Sequence, residues 1–359
     1  MRELVVLVQV RPLLQEDLRQ PTRRRLALGG AVGGAEEFFL RLVAAFNARG
    51  VSQSVVVRPN KARGRKLRDV GVNLVELPFG KWFDFQTQPS LTAQIDRVRP
   101  DIVLSWMNRA TLETGKACLR ADSSPIQIGR QGGYYDLKYY RHCDHLIGNT
   151  PHIVKHMVDS GWPADCAHFI PNFVSADPGV RISRVQFDVP EHAPLILAAG
   201  RLHQNKAFDT LLEALKYTNG VYLLLAGDGP LKSKLQSLSQ RLGVASRVRF
   251  LGWRSDVGDL MATADMLVCP SRIEPLGNVV IEAWARNLPV VATEAEGPGW
   301  LITHETDGLL APIDDYRALA STISQLAEDR DLATRVAAAG KLRFESEFNE
   351  ASVVNRFLA

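Results

Sequence analysis

Pro270-Ser271-Arg272-Ile273-Glu274-Pro275-Leu276-Gly277-Asn278-Val279-Val280-Ile281-Glu282-Ala283 is the stretch that decides the fold of this 359-residue chain. The apolar run before it, Met266 to Cys269, reads as a buried parallel strand. The segment Val279 to Ala285 reads as a helix, and Gly277 and Asn278 suit a tight entry into it near Asn278. Glu274 then falls on the loop and Glu282 about one turn into the helix, with seven residues between them. Both can face one cleft at the carboxyl end of a strand, where open α/β sheets bind ligands. The helix start adds backbone N–H groups and a positive dipole end for an anion. A phosphate on the amides, with hydroxyls on the carboxylates, describes a sugar nucleotide.

A bare E-x7-E also fits a surface carboxylate followed by a helix-face one. The preceding strand, Pro270-Ser271 at its end and Pro275-Leu276-Gly277-Asn278 between the two acids make the pattern specific. On these residues the chain resembles the retaining glycosyltransferases of the GT-B fold, family 4-like, which include bacterial lipopolysaccharide and mannosyl transferases. Further pieces follow the order of that family. The strand Leu195 to Ala199 leads into Gly200-Arg201-Leu202 and then Lys206. The strand Val221 to Ala226 ends in Gly227-Asp228-Gly229-Pro230, and Val248 to Trp253 reads as another strand. Near the amino terminus, the strand Leu4 to Val10 precedes Gly33-Gly34-Ala35-Glu36, which opens a helix with apolar residues at Phe38, Phe39, Leu42, Val43 and Phe46.

The resemblance implies an α/β architecture of two Rossmann-like domains facing a cleft, with a carboxyl-terminal helix crossing back to the first domain. It implies that Arg201 and Lys206 hold the donor diphosphate, offsetting charge that grows as it leaves. Glu274 would bind sugar hydroxyls and support an oxocarbenium-like state, and Glu282 would hold the ribose. Gly33, Gly34, Gly200, Gly227, Leu276, Gly277, Asn278 and Val279 would line the donor, and Trp253 would approach the nucleobase. Read by themselves, Arg201 and Lys206 are loop cations, Gly33-Gly34 is a glycine-rich turn and Trp253 is a rim aromatic. The family needs no metal or other cofactor; UDP or GDP would carry the sugar as co-substrate.

The remaining features bound the function. No G-x-G-x-x-G with a downstream acid follows the first strand, which argues against a nicotinamide or flavin. A 46% apolar and 23% charged composition is that of a soluble globular protein. No run reaches the ~18 apolar residues of a membrane span. Cys118, Cys143, Cys166 and Cys269 are scattered and read as free thiols in a reducing cytoplasm. Charge is uneven: residues 1–175 carry 24 basic against 16 acidic side chains, and residues 176–359 carry 19 against 23. Arg58, Lys61, Arg63, Arg65, Lys66 and Arg68 crowd one short stretch, a candidate contact with an anionic leaflet at the inner face of the cytoplasmic membrane. A solvated loop is the plain alternative. Nucleic acid is the rival partner, but neither a base-reading motif nor interleaved aromatics accompany the run.

Arg130-Gln131-Gly132-Gly133-Tyr134-Tyr135 follows a strand, and its aromatic and polar side chains suit a carbohydrate acceptor. Arg130, Gln131, Tyr134 and Tyr135 are its expected contacts; a packing loop is the alternative. Many family members place a histidine here that touches the donor sugar, so Arg130 and Gln131 are a departure. Five of the eight histidines lie between 142 and 168, without the spacing of a zinc motif. The expected division is an acceptor domain over 1–175, a linker over 176–194, a sugar-nucleotide domain over 195–335 and terminal helices over 336–359. The Tyr- and Arg-rich loops and the basic first half point to a cell-envelope acceptor such as lipopolysaccharide core, receiving a hexose-type sugar. An epimerase on the same fold and a non-catalytic partner-binding protein are the alternatives.

Overall fold

The structure is a computed structural model that describes residues 4–9, 34–80 and 84–359. The chain divides into one unit of Met1–Asn172 with Val354–Ala359 and a second of Phe173–Val353.

The first unit carries a seven-stranded sheet. Its strands are β1 (Leu4–Gln9), β2 (Ser52–Val57), β3 (Asn73–Glu76), β4 (Ile102–Trp106), β5 (Ile126–Gln131), β6 (His145–Gly148) and β7 (Ala167–Phe169), in the spatial order β3-β2-β1-β4-β5-β6-β7. The helices between them are α1 (Gly34–Ala48), α2 (Lys61–Val70), α3 (Thr87–Val98), α4 (Asn108–Cys118) and α5 (Pro151–Asp159). All the pairings are parallel except those of β1, which runs antiparallel to both β2 and β4. The carboxyl end of β1 lies beside the starts of its neighbours, with Gln9 opposite Ser52 and the Asp101 N–H donating to Val8 O at 3.0 Å. Gly33 lies outside the described residues, and α1 starts at Gly34. The stripe Phe38, Phe39, Leu42, Val43 and Phe46 is buried, as its spacing requires.

The basic stretch is a helix rather than a loop. Asn60 caps α2 by accepting from the Arg63 N–H, and Gly71 closes it in the left-handed region at φ +85°, which a side chain would strain. Arg63 points inward to Glu36 of α1 at 2.7 Å, both side chains nearly inaccessible to water. It is therefore no membrane contact, and Arg68 pairs with Glu76 at 3.3 Å. Lys61 and Arg65 stay exposed.

The second unit carries β8 (Leu195–Ala199), α6 (Phe208–Leu215), β9 (Tyr222–Ala226), α7 (Lys232–Arg241), β10 (Val248–Gly252), α8 (Val257–Thr263), β11 (Met266–Cys269), α9 (Asn278–Trp284), β12 (Val290–Thr293), α10 (Glu296–Leu301), β13 (Leu309–Ala311), α11 (Tyr316–Glu328) and α12 (Arg330–Arg343). Its sheet is parallel throughout, in the order β10-β9-β8-β11-β12-β13. Successive side chains of a strand alternate faces. Ile196, Leu223, Leu225 and Val268 face one core with Leu211, Leu215, Leu319 and Ile323, while Leu197, Leu224 and Leu267 face the other with Val280, Trp284 and Leu301. With both faces covered, every strand can be apolar along its whole length, which is why these runs are the clearest in the sequence.

The stretch 176–194, expected as a linker, belongs to the second unit. Arg184 ties it there, donating to Ala193 O and Thr263 O and pairing with Asp265 at 2.6 Å. Of the terminal helices, α12 also belongs to this unit, and only Val354–Ala359, the end of α13 (Glu350–Leu358), belongs to the first. There Phe357 packs against Phe38 and Phe46 of α1 with ring centroids 6.4 and 6.0 Å apart.

Candidate active site

Three loops leave the carboxyl ends of β8, β9 and β11 and meet in the second unit. The turn after β9 is fitted to the one after β8. A Cβ on Gly227 would lie 1.8 Å from Gly200 O, and one on Gly229 2.5 Å from Leu202 O. The Leu202 N–H donates to Asp228 O at 3.0 Å, and the Leu231 N–H returns to Leu202 O at 3.1 Å. Only glycine lets two backbones come this close. The loop after β8 then runs through Arg201, which is exposed, to a short turn at Gln204–Lys206. Ala207 follows in the left-handed region at φ +48°, fully buried, a conformation that costs a non-glycine residue about 1 kcal/mol or more.

That turn aims the Lys206 ammonium at Glu274, and the two side chains form a direct ion pair. Burial penalises the ammonium, but the Glu274 carboxylate, helped by Cys269, outweighs the penalty and holds the Lys206 pKa above the ordinary lysine value. Cys269 is buried beside them at the end of β11, where burial and then the Glu274 charge raise its thiol pKa. From the other side the Gly297 N–H donates to Glu274 O at 2.8 Å. A Cβ on Gly297 would sit 2.5 Å from Leu276 O, so α10 packs directly under this loop. Gly277, at φ +88°, turns the chain into α9, which starts at Asn278 as its sequence predicts. Glu282 stands half-buried one turn in, Leu276 is buried, and Trp253 is half-exposed at the end of β10. The structure thus brings Lys206 and Glu274 into contact, with Arg201 and Gly277 on the same group of loops and Glu282 in α9.

The expected acceptor residues lie in the first unit and separate into two kinds. Arg130 is enclosed: its guanidinium lies 4.3 Å above the Phe38 ring and 5.9 Å from that of Phe357, and it donates to Asn172 Oδ1 at 2.8 Å. Desolvation by burial pulls its pKa down. Arg130 thus pins the end of α13 to α1. Gln131, at the end of β5, is completely buried, and neither its amide oxygen nor its nitrogen has a partner among the described residues. Asn149, just past β6, has an unpartnered Oδ1, and its N–H donates to Gln131 O at 3.2 Å. Unpaired buried amides cost about 1–3 kcal/mol each, so two side by side mark a place for polar atoms from elsewhere. Tyr134 is 47% exposed and meets His156 edge-on at 5.1 Å, whereas Tyr135 is largely buried.

Sequence reasoning missed Asn149, and it missed Met107, held at φ +73° just after β4. A non-glycine residue at positive φ beside a strand end marks a constrained site, and nothing local in the sequence announces it. It also passed over Arg272, although that residue lies inside the stretch that decided the fold. Among the histidines, His145 and His168 face each other across β6 and β7 at 3.1 Å. No group of three metal-capable side chains occurs among the described residues.

Residues 193–329 match the family Glycosyl transferases group 1, and residues 32–178 match Glycosyltransferase Family 4. The chain is a family 4 glycosyltransferase. It is 34% identical to the lipopolysaccharide core biosynthesis glycosyltransferase LpsE of Rhizobium meliloti (strain 1021), over 92% of this chain and 96% of that protein. It is 32% identical to LpsD of the same organism, over 92% and 95%. Its fold matches the crystal structure of Anabaena Alr3699/HepE in complex with UDP and glucose, with a TM-score of 0.77 and 21% identity over 92% and 96% of the two chains. This glycosyltransferase therefore has the GT-B fold. The loops around Lys206 and Glu274 lie within the first family match, and Gln131 and Asn149 lie within the second.

Proposed function

We propose that this glycosyltransferase moves a hexose-type sugar from UDP or GDP to a cell-envelope glycan, lipopolysaccharide core, with retention at the anomeric carbon. The observation that carries the donor reading is the Lys206–Glu274 pair at the carboxyl ends of β8 and β11. It sets a cation for a diphosphate beside a carboxylate for sugar hydroxyls. The names of the two Rhizobium relatives support the acceptor. The UDP and glucose in the HepE complex support the donor class.

In this reading the acceptor hydroxyl attacks on the face from which the nucleoside diphosphate departs. The bond from the anomeric carbon to the phosphate oxygen breaks as the bond to the acceptor oxygen forms, and the hydroxyl proton passes to a leaving phosphate oxygen. Lys206, Arg201 and the amides around Gly277, Asn278 and Val279 stabilise the growing negative charge, so that charge neutralisation runs through the protein's own groups. Glu274 stabilises the positive character of the sugar, and Glu282 holds the ribose. Gln131 and Asn149 offer their unpaired amides to the acceptor, with Tyr134 as an exposed ring beside them. Docking on an anionic leaflet through Lys61 and Arg65 of α2 would bring the enzyme to a lipid-linked acceptor.

Incubation with UDP-, GDP- and ADP-sugars, with and without lipopolysaccharide core, tests the reading. Transfer with retained anomeric configuration is the expected result. Release of free nucleotide that no acceptor accelerates would favour the epimerase.

A further inference from the structure

Arg272 stands two residues before Glu274, on the loop after β11, and its guanidinium meets the turn before Lys206, the start of α6 and the segment before α11. Nη1 donates to Gln204 O at 2.9 Å and to Asp209 Oδ1 at 2.9 Å. Nη2 donates to Asp209 Oδ2 at 2.9 Å and to Thr210 Oγ1 at 3.1 Å. Nε meets Asp314 Oδ1 at 2.6 Å. The two Nη nitrogens thus donate four hydrogen bonds, and Nε is ion-paired with Asp314. The backbone is stitched as well: the N–H groups of Arg272 and Ile273 both donate to Asn205 O, at 2.8 and 3.1 Å. Thr210 Oγ1 in turn donates to Asp314 Oδ1 at 3.1 Å, closing the ring of contacts.

The acceptors come from particular places. Gln204 and Asn205 are the two residues before Lys206, Asp209 and Thr210 open α6 just after it, and Asp314 precedes α11. A single side chain therefore fixes the segments on both sides of Lys206 to the segment that carries Glu274. The fork geometry matters, because a carboxylate gripped at both oxygens cannot rotate and a point charge cannot grip it in this way. We propose that Arg272 is a positioning residue of the transfer reaction, a clamp that sets the separation of Lys206 and Glu274. It touches neither donor nor acceptor and acts through those two side chains. The inference rests on the reading of Lys206 and Glu274 as donor-binding groups, and its test must separate the failure of one from the failure of the other.

Two readouts serve on the wild type and on Arg272→Gln. The first is steady-state turnover of the panel of sugar nucleotides. Turnover should fall tenfold or more, with the loss in kcat rather than KM, since the diphosphate still meets the same cations but meets them misaligned. The second is the titration of Lys206, followed by NMR of its ¹³Cε with assignment from Lys206→Arg. Removing a nearby positive charge would by itself raise a lysine pKa, whereas loss of the Glu274 contact lowers it. The clamp requires a fall. A Lys206 titration that stays or rises in the folded variant overturns the proposal, and so does turnover within twofold of wild type. Should the wild type turn over none of the sugar nucleotides, the donor reading fails, and the Lys206 titration still decides whether Arg272 sets the pair. Arg272→Lys keeps the charge and loses the fork; if the glutamine variant does not fold, the same two readouts on the lysine variant decide. Full rescue by lysine would show that charge alone suffices and would also overturn the clamp.

Discussion

Lys206 and Glu274 each hold the other in place, so neither can be altered without changing what its partner presents to a ligand. Glu274→Gln keeps the shape and removes the charge, and turnover should fall while the fold survives, as circular dichroism would show. Glu282→Ala should mainly weaken nucleotide binding, and calorimetric titration with the free nucleoside diphosphates checks it; unchanged affinity would remove the ribose contact. Because the pKa of Lys206 is raised by folding, its contribution to stability is fully present below the ordinary lysine value of about 10.5 and is lost as pH rises through the higher folded value. Thermal unfolding of wild type and Lys206→Met between pH 9 and pH 12, by calorimetry, should show the wild type's advantage vanishing in that window (roughly the lysine range). At this scale the sequence was legible where a motif fixes spacing, as with Glu274 and Lys206. The packing of Arg130 is not legible in the sequence because one of its two enclosing rings, Phe357, comes from the far end of the chain, and only folding brings the two together.

Elements show where local signals suffice and where they fail. The strands of the second unit are legible because both faces of its sheet are covered and the runs are apolar throughout. The α2 helix reads as a loop because five basic residues and Gly64 hide its short apolar side, although Asn60 and Gly71 are recognisable caps. Folding sorts those cations. Arg63 belongs to a buried pair with Glu36, and Arg63→Ala should destabilise the protein by about 3–5 kcal/mol, measured by urea denaturation, because a buried ion pair loses one member. Lys61 and Arg65 face water. Replacing those two with Ser should leave stability within about 0.5 kcal/mol and weaken co-sedimentation with acidic vesicles at low salt, an effect that fades as salt screens the charges. Equal vesicle binding by the two proteins would leave α2 as a solvated helix. The direction of β1 was beyond any local signal, since an apolar run reads the same for a parallel and an antiparallel strand.

For the whole molecule, the alternation of strands and helices was enough for two Rossmann-like units, but their border was not. Residues 176–194 look like a linker by their prolines and mixed polarity, yet Arg184 buries itself against Asp265 and binds them to the second unit. No helix among the described residues is long and apolar enough to cross a membrane. The central claim is that the second unit grips a sugar diphosphate with Lys206 and Glu274, and one assay meets it most directly. Release of nucleoside diphosphate from UDP-, GDP- and ADP-sugars is measured for wild type, Lys206→Ala and Arg201→Ala in the presence of lipopolysaccharide core. The account predicts turnover with at least one donor and a loss of ~100-fold in each variant, equivalent to about 3 kcal/mol of transition-state stabilisation. Near-normal turnover in both variants, or no release from any donor by the wild type, would contradict it.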